Sequence, residues 1–495
     1  MTNKRGEFMV KFSAKKYSTT LKLIFLKAVH DIYPEGDVII DNSLNNGVYG
    51  EIDNITLTEE GIEKISNRMK EIIEKNYPVE LVTSNNEELK AKSETIERED
   101  VRKLLDNSGW TSIMEYAIDG YHDYIYERPY KFTGDVDVFE LTKYNDGFIL
   151  KYPLSEDKVL PPEIDTPKIA KVFSEAADWN QILGVDTLGS LNEKVLNKEI
   201  GELIRINEAL HHKEIAKIAH QISSNEKIKL VTIAGPSSSG KTTFSKRLYI
   251  HLRANGMNPI VISLDNYYIG RANVPLDENG KKDFETIEAL DLKLLNQNLK
   301  DLVRGKEVEI PEYNFITGER EKVGIKMRVP KKNGLIIIEG IHGLNERLTC
   351  EIPRENKFKI YISCLTQLNI DRHNRISTSD VREIRRLVRD SLSREEKGEG
   401  TLAMWTSVRK GEEKHIFPYQ EEADALFNSN LVYELGVLKS YALRELIKVK
   451  PSSLYYEEAK RLMRFLYCFV DIKVDLIPDD SILKEFIGGS IFYKY

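Results

Sequence analysis

Nine consecutive residues, Gly235, Pro236, Ser237, Ser238, Ser239, Gly240, Lys241, Thr242 and Thr243, carry the types and spacing that hold phosphate. Gly235 and Gly240 permit backbone angles that side chains forbid, so successive amide N–H groups turn inward around phosphate oxygens at a helix N-terminus. Lys241 brings a mobile positive charge to the β- and γ-phosphates, and Thr242 offers a hydroxyl to Mg²⁺. The run therefore predicts an ATP and Mg²⁺ site. Two acids stand downstream. Asp265 follows the strand-like run 258–264, and at the carboxyl end of a parallel strand it would face the loop across a cleft. A carboxylate there accepts the proton of an attacking hydroxyl and helps hold Mg²⁺. Glu339 ends the apolar run 335–339, which suits a strand buried on both faces, and fills the place of a second metal-linked acid. Between 379 and 414 the chain turns basic, with Arg382, Arg385, Arg386 and Arg389 at helical spacing and Arg394, Arg409 and Lys410 beyond. One reading is a solvated helix face. The other is a lid that bends at Gly398 and Gly400 and brings guanidinium donors to a transferring phosphoryl group.

These residues need elements to position them. The β-branched run 228–234 before the loop predicts a strand, and Phe244, Leu248 and Leu252 after it predict a helix. Toward the N-terminus, apolar spacing predicts helices over 21–32, 58–75 and 97–107. Asn45-Asn46-Gly47 reads as the turn of a hairpin over 37–52. Alternation over 116–153 predicts antiparallel strands, completing an α+β domain. The Pro-rich stretch 158–167 reads as a linker. Helices over 169–183 and 192–222 follow, with His211 and His212 read as surface residues. Two more helical stretches, 441–449 and 456–470, precede Gly488-Gly489, which either closes a turn or approaches an adenine.

A chain of 495 residues is too long for one ordinary core, so two or three domains are expected. Hydrophobic content of 41% with 31% charged residues describes a globular chain, and the net charge of −7 gives no general attraction for nucleic acid or anionic membrane. Cys350, Cys364 and Cys468 lack metal-ligand spacing and fit a reducing compartment. Residues 1–12 do not read as a signal peptide, and no apolar run approaches the roughly 20 residues that span a bilayer. A cytoplasmic protein is expected.

The N-terminal third, through FLKAVHDIYPEGDVIIDNSLNNGVYGEIDN, TLTEEGIEKISNRMKEII and TGDVDVFEL, resembles the editing-type domain of threonyl-tRNA synthetases and alanyl-editing proteins. That family builds its pocket from two His on the first helix and a later Cys and His. This sequence has Leu23 and Lys27 at the first two places and Tyr126-Glu-Arg-Pro-Tyr130 at the others, so hydrolytic editing is not carried over. A scaffold for folding or homo-oligomerisation and a module that binds a small molecule or RNA both remain open.

The C-terminal two-thirds is similar to the uridine kinase and phosphoribulokinase family. The matching pieces are GPSSSGKTT, VISLDNYY, DFETIEALD, PEYNF followed by Arg320, LIIIEG and RRLVRDSLSR. The resemblance implies an α/β phosphate-loop kinase with a parallel sheet flanked by helices, behind the smaller α+β domain, using ATP and Mg²⁺ on a small-molecule hydroxyl, foremost a nucleoside 5′-hydroxyl. It implies Asp265 as general base, Lys241 with Arg389 and Arg394 on the phosphoryl group, and Glu339 and Thr242 near the metal. It also implies a substrate pocket of Tyr268, Phe284, Glu285, Tyr313, Asn314, Phe315 and Arg320. The sequence departs from uridine kinases at Glu285, where they have Asp, at Asn314, where they have Asp, and at Gly318, in place of a base-reading His. The expected division is an editing-like domain over 1–155, a connector over 156–222, the kinase over 223–435 and a helical extension over 436–495. A nucleotide-switched RNA-binding or regulatory protein is the alternative from another class.

Overall fold

The computed structural model describes residues 12–91, 96, 98–108, 113–278, 280–314, 317–393 and 396–492. They form two compact units. The first comprises residues 1–199 together with 366–377 and 464–470, and the second comprises 200–365, 378–463 and 471–495.

In the first unit, the helix Ala14–Ile32 is capped by the Ser13 hydroxyl, which accepts from the Lys16 amide. The helix Glu59–Lys75 is capped by Thr58, which accepts from Gly61 at 3.1 Å. Leu21, Ile24, Phe25 and Ala28 of the first helix share one buried cluster with Ile62, Ile65, Met69 and Ile72 of the second and with Phe148. The expected hairpin is present: Asp37–Leu44 pairs antiparallel with Gly47–Asp53, and Asn45 and Asn46 take φ of 50° and 60°. Those left-handed values are what a two-residue turn of this twist requires. Gly147–Lys151 and Glu140–Tyr144 extend it to a four-stranded antiparallel sheet, beside a three-stranded one from Glu80–Thr83, Met114–Ile118 and Tyr121–Ile125. Leu23 and Lys27 are 1% and 4% exposed, and Lys27 reaches Asp31 at 3.3 Å.

A distant segment completes this unit. The hairpin of Asn369–Asp371 and Asn374–Arg375 brings in His373, whose Nδ1 lies 2.9 Å from Asp123, and Asp371, which accepts from Arg98 at 3.2 Å. Asn369 donates to the Ile40 carbonyl at 3.1 Å, and Asn192 donates to that of Cys468 at 2.8 Å.

The second unit is built on a five-stranded parallel sheet. Its order is Ala425–Asn428, Lys357–Ser363, Leu230–Ala234, Gly334–Glu339, Asn258–Ser263. Every residue of the central strand Leu230–Ala234 is buried, as expected of a strand covered on both faces. The helices Lys241–Ala254, Leu292–Val303, Thr378–Ser393 and Glu434–Leu446 belong to the same unit. The architecture is that of a phosphate-loop kinase, with an α+β unit of antiparallel sheets before it, as the sequence led us to expect. Among the described residues no helix is long and apolar enough to cross a membrane.

His211 corrects one reading. It is 7% exposed, with Nε2 3.1 Å from the Asn430 carbonyl and its ring against Phe427, because its side of the helix Ile200–Ser223 faces the unit's interior. His212, one residue on, lies 3.2 Å from Asp480 and is 44% exposed at its side chain.

Candidate active site at the carboxyl edge of the parallel sheet

The central strand runs into the glycine-rich loop with no space to spare. A Cβ at Gly235 would collide with the Ile362 carbonyl oxygen of the neighbouring strand, so only glycine lets the chain leave the sheet here. Ser238 and Gly240 take φ of 58° and 83°, turning the backbone so that Lys241 begins a helix. The hydroxyls of Ser238 and Ser239 are buried without a hydrogen-bond partner among the described residues. Orphaned buried hydroxyls beside a helix N-terminus are groups that phosphate oxygens satisfy, so the loop fits the phosphate role expected of it.

Lys241 folds back over the loop, its Nζ donating to the Pro236 carbonyl at 2.9 Å. Burial pulls its pKa down, and the charges of Glu339, Asp265 and Glu485 pull it up. Arg389 adds a further positive charge to the group. Three carboxylates and two cations thus gather on the loop side of the sheet.

Glu339 ends its strand opposite Ser263 of the adjacent strand, and Asp265 follows in the short turn Leu264–Tyr267. Burial first, and then the Asp265 charge, push the Glu339 carboxyl up to about 7. Among the described residues, no three His, Cys, Asp or Glu side chains are grouped as a metal cage. Mg²⁺ needs none, since it is held through one or two protein oxygens with phosphates and water, a donor set that Glu339, Asp265 and Thr242 fit.

The raised value has a measurable consequence. Folding takes up a proton on Glu339 at pH values between the 4.5 of an ordinary glutamate and about 7. Ligand-free protein therefore loses stability as pH rises through that window, by about 3 kcal/mol at full extent. Chemical denaturation at pH 5 and pH 8 should show a loss smaller by about that amount in Glu339→Gln than in the wild type, the remainder coming from groups such as Glu285 that titrate in the same window. Equal pH dependence in the two proteins would remove the assignment.

The aromatic residues cluster beside the acids. The rings of Tyr268 and Tyr313 lie 5.6 Å apart and those of Tyr268 and Phe284 6.3 Å apart, and the Tyr268 hydroxyl donates to the Phe284 carbonyl at 3.1 Å. Arg320 spends its guanidinium on the backbone: it donates to the Tyr267 and Tyr268 carbonyls at 2.9 Å each and to Asp291 at 3.1 Å. Asn314 folds its own turn, accepting from the Thr317 amide at 3.1 Å and donating to Glu321 at 2.9 Å. Burial and the Glu412 charge push Glu285 up to about 7. Phe315 and Arg394 lie outside the described residues.

The basic helix Thr378–Ser393 is where the structure departs most from expectation. Arg382 and Arg385 are 1% and 0% exposed and do not line a solvated face. Arg382 donates to the Ser237 carbonyl at 3.0 Å, Arg385 to that of Ser238 at 3.3 Å, and Arg386 to the Ser237 hydroxyl at 3.0 Å. They clamp the outer wall of the phosphate loop. Burial is tolerated because Glu412 pairs with Arg382 and Glu434 with Arg385. Arg389 bonds Asp390 at 2.8 and 3.0 Å.

Two acids were not singled out from sequence. Glu412, fully buried, accepts from the Ser237 amide at 2.9 Å. Glu485, in the C-terminal extension, accepts from the Thr243 amide at 3.0 Å and the Thr243 hydroxyl at 2.7 Å. Glu412 sits in the charged run Arg409-Lys-Gly-Glu-Glu-Lys414, where nothing marks one acid as buried. Gly488 and Gly489 both take positive φ, 80° and 72°, after the helical turn that carries Glu485.

Comparison with known proteins locates this region. The profile of the phosphoribulokinase / uridine kinase family matches residues 230–432. A uridine kinase of Staphylococcus aureus (strain JH9) is 29% identical over 198 residues, 40% of this chain and 86% of its own. Among solved structures, a possible uridine kinase from Bacillus stearothermophilus is 20% identical with a TM-score of 0.27, covering 41% of this chain and 89% of that one. D-glycerate 3-kinase from Cryptococcus neoformans var. grubii is 16% identical with a TM-score of 0.26, covering 52% and 86%.

Proposed function

We propose, on the premise that residues 230–432 form a phosphoribulokinase / uridine kinase family domain, that the protein transfers a phosphoryl group from ATP to a small-molecule hydroxyl, by preference the 5′-hydroxyl of a nucleoside. The observation that carries this reading is the gathering of Lys241, Glu339 and Asp265 within electrostatic reach of one another beside the orphaned Ser238 and Ser239 hydroxyls.

Bound Mg²⁺ would supply positive charge to the phosphates. Glu339 and Thr242 would hold it. The loop amides and the two serine hydroxyls fix the phosphates, and Lys241 and Arg389 offset the negative charge that builds on the transferring group. Asp265 accepts the acceptor's hydroxyl proton as its oxygen bonds to phosphorus and the bond to the leaving phosphate breaks. Tyr268, Tyr313 and Phe284 would form an apolar wall for the acceptor, and Glu285 a hydrogen-bonding group for its hydroxyls. Arg320 acts by position, holding the turn from which Tyr268 projects.

A second reading, an alcohol other than a nucleoside, is favoured by one observation. Gly318, in the place of a base-reading His, has no side chain, and Asn314 of the implied substrate pocket spends its amide on its own turn. Losing a polar recognition bond removes up to about 10⁴-fold in discrimination.

Incubation with Mg-ATP and mixed nucleosides and sugar phosphates, followed by mass analysis, tests the proposal. A nucleoside monophosphate supports the first reading and a phosphorylated sugar the second. ATP hydrolysis stimulated by RNA, with no phosphorylated small product, would overturn both in favour of a nucleotide-switched RNA-binding protein. In either kinase reading the first unit serves as a scaffold or accessory binding module.

A further inference from the structure

The C-terminal extension places a carboxylate against the first turn of the helix that follows the phosphate loop. In a phosphate loop the amides leading into the helix surround the β-phosphate, the lysine reaches toward the γ-phosphate, and donors one residue further into the helix serve the α-phosphate. Here those further donors are the Thr243 amide and hydroxyl, and both point at one oxygen of Glu485, at 3.0 and 2.7 Å. The Ser238 and Ser239 hydroxyls, earlier in the loop, have no partner among the described residues. One end of the cradle is open and the other is filled from within the chain.

The filling is held firmly. Ile482, Leu483 and Phe486, flanking Glu485, are each 0–1% exposed. Ile482 packs where Gly240 leaves no room for a Cβ, and the Arg385 guanidinium lies 5.0 Å from the Phe486 ring centroid. Withdrawing this segment would expose three large apolar side chains, whereas rotating one glutamate side chain exposes none. A ligand that takes the Thr243 donors would therefore displace Glu485 by a swing of its own side chain.

We infer that Glu485 sets selectivity for the phosphoryl donor: its carboxylate holds the α-phosphate place, so a two-phosphate group enters the cradle unhindered and a nucleoside triphosphate enters only by displacing it. The inference rests on the reading of the loop as a nucleotide site. It predicts that ATP binds against an internal competitor of like charge and that inorganic pyrophosphate does not.

Calorimetric titration in excess Mg²⁺ of wild type, Glu485→Ala and Glu485→Gln with ATP and with inorganic pyrophosphate tests this without any acceptor present. Glu485→Ala should bind ATP about tenfold tighter or more, the scale of one charge-assisted hydrogen bond that no longer has to be broken. Glu485→Gln, which keeps an acceptor and loses the charge, should gain in the same direction by less. Pyrophosphate affinity should stay within about twofold in all three. Unchanged or weaker ATP binding in Glu485→Ala, with pyrophosphate binding retained, overturns the inference and leaves the kinase reading standing. Failure of both ligands to bind wild type overturns the nucleotide site itself. Should the variants not fold, the carboxyl resonance of Glu485 in the wild type decides: ATP and not pyrophosphate should shift it as the carboxylate leaves the Thr243 donors, and equal shifts with both ligands count against the inference.

Discussion

Asp265→Asn is expected to lower turnover by about 10² to 10⁴-fold, the range spanned by a positioned general base, while leaving the KM for ATP nearly unchanged. The substitution keeps the shape of the side chain and removes its charge and its ability to take a proton. Lys241, the loop amides and the serine hydroxyls, which would bind the nucleotide, are untouched. A second readout separates this role from a merely structural one. The Asp265 charge is the largest cause after burial of the raised value at Glu339. Removing it should bring the Glu339 carboxyl back toward the ordinary range, so the pH-dependent loss of stability in ligand-free protein should shrink in Asp265→Asn. Steady-state kinetics with chemical denaturation at two pH values checks both. Retained turnover would take Asp265 out of the proposed mechanism.

Glu434→Ala is expected to cost about 3–5 kcal/mol of folding stability, the penalty for stripping one partner from a buried pair. Arg385 is fully buried and donates to Glu434 through Nε at 2.8 Å, to the Ser429 carbonyl at 2.7 Å and to the Ser429 hydroxyl at 3.1 Å. Glu434 is 1% exposed and also accepts from Asn430 at 2.8 Å. With Glu434 gone, a guanidinium stays in a low-dielectric site with its charge uncompensated. The double variant Arg385→Met/Glu434→Leu should recover most of the loss, because two apolar side chains of similar volume need no partner. Because Arg385 also holds the Ser238 carbonyl, the double variant should regain stability and still bind nucleotide more weakly. Denaturant midpoints give the first effect and calorimetry the second. A loss under about 1 kcal/mol would mean that water reaches the site.

What the sequence made legible was local. The phosphate loop, its strand and its helix lie within 25 residues, and each is marked by its own residue types: β-branched before, glycine and serine within, apolar at helical spacing after. The hairpin at Asn45-Asn46-Gly47 is equally self-contained, since asparagine and glycine accept the left-handed backbone that the turn imposes. Glu339 was legible from the buried strand it ends. What stayed hidden depends on partners far along the chain. Ser237 meets Glu412 across 175 residues, and Thr243 meets Glu485 across 242. Neither acid differs in its local pattern from a solvated one. Spacing places the arginines of Thr378–Ser393 on one helix but leaves open whether water or another element covers each, which is why a solvated face does not describe Arg382 and Arg385. His211 was misread for the same reason.

The interrupted make-up of the first unit bears on how the protein is synthesised. Asp371 and His373 pair with Arg98 and Asp123, and the Cys468 carbonyl accepts from Asn192. While the ribosome has released only the first 199 residues, Arg98 and Asp123 lack those counterparts until residues 366–377 emerge, and Asn192 lacks its own until residues 464–470 do. A gene fragment stopped at residue 199 is thus a poor stand-in for the N-terminal unit, and limited proteolysis of nascent chains should find it resistant only after the later segments have been made.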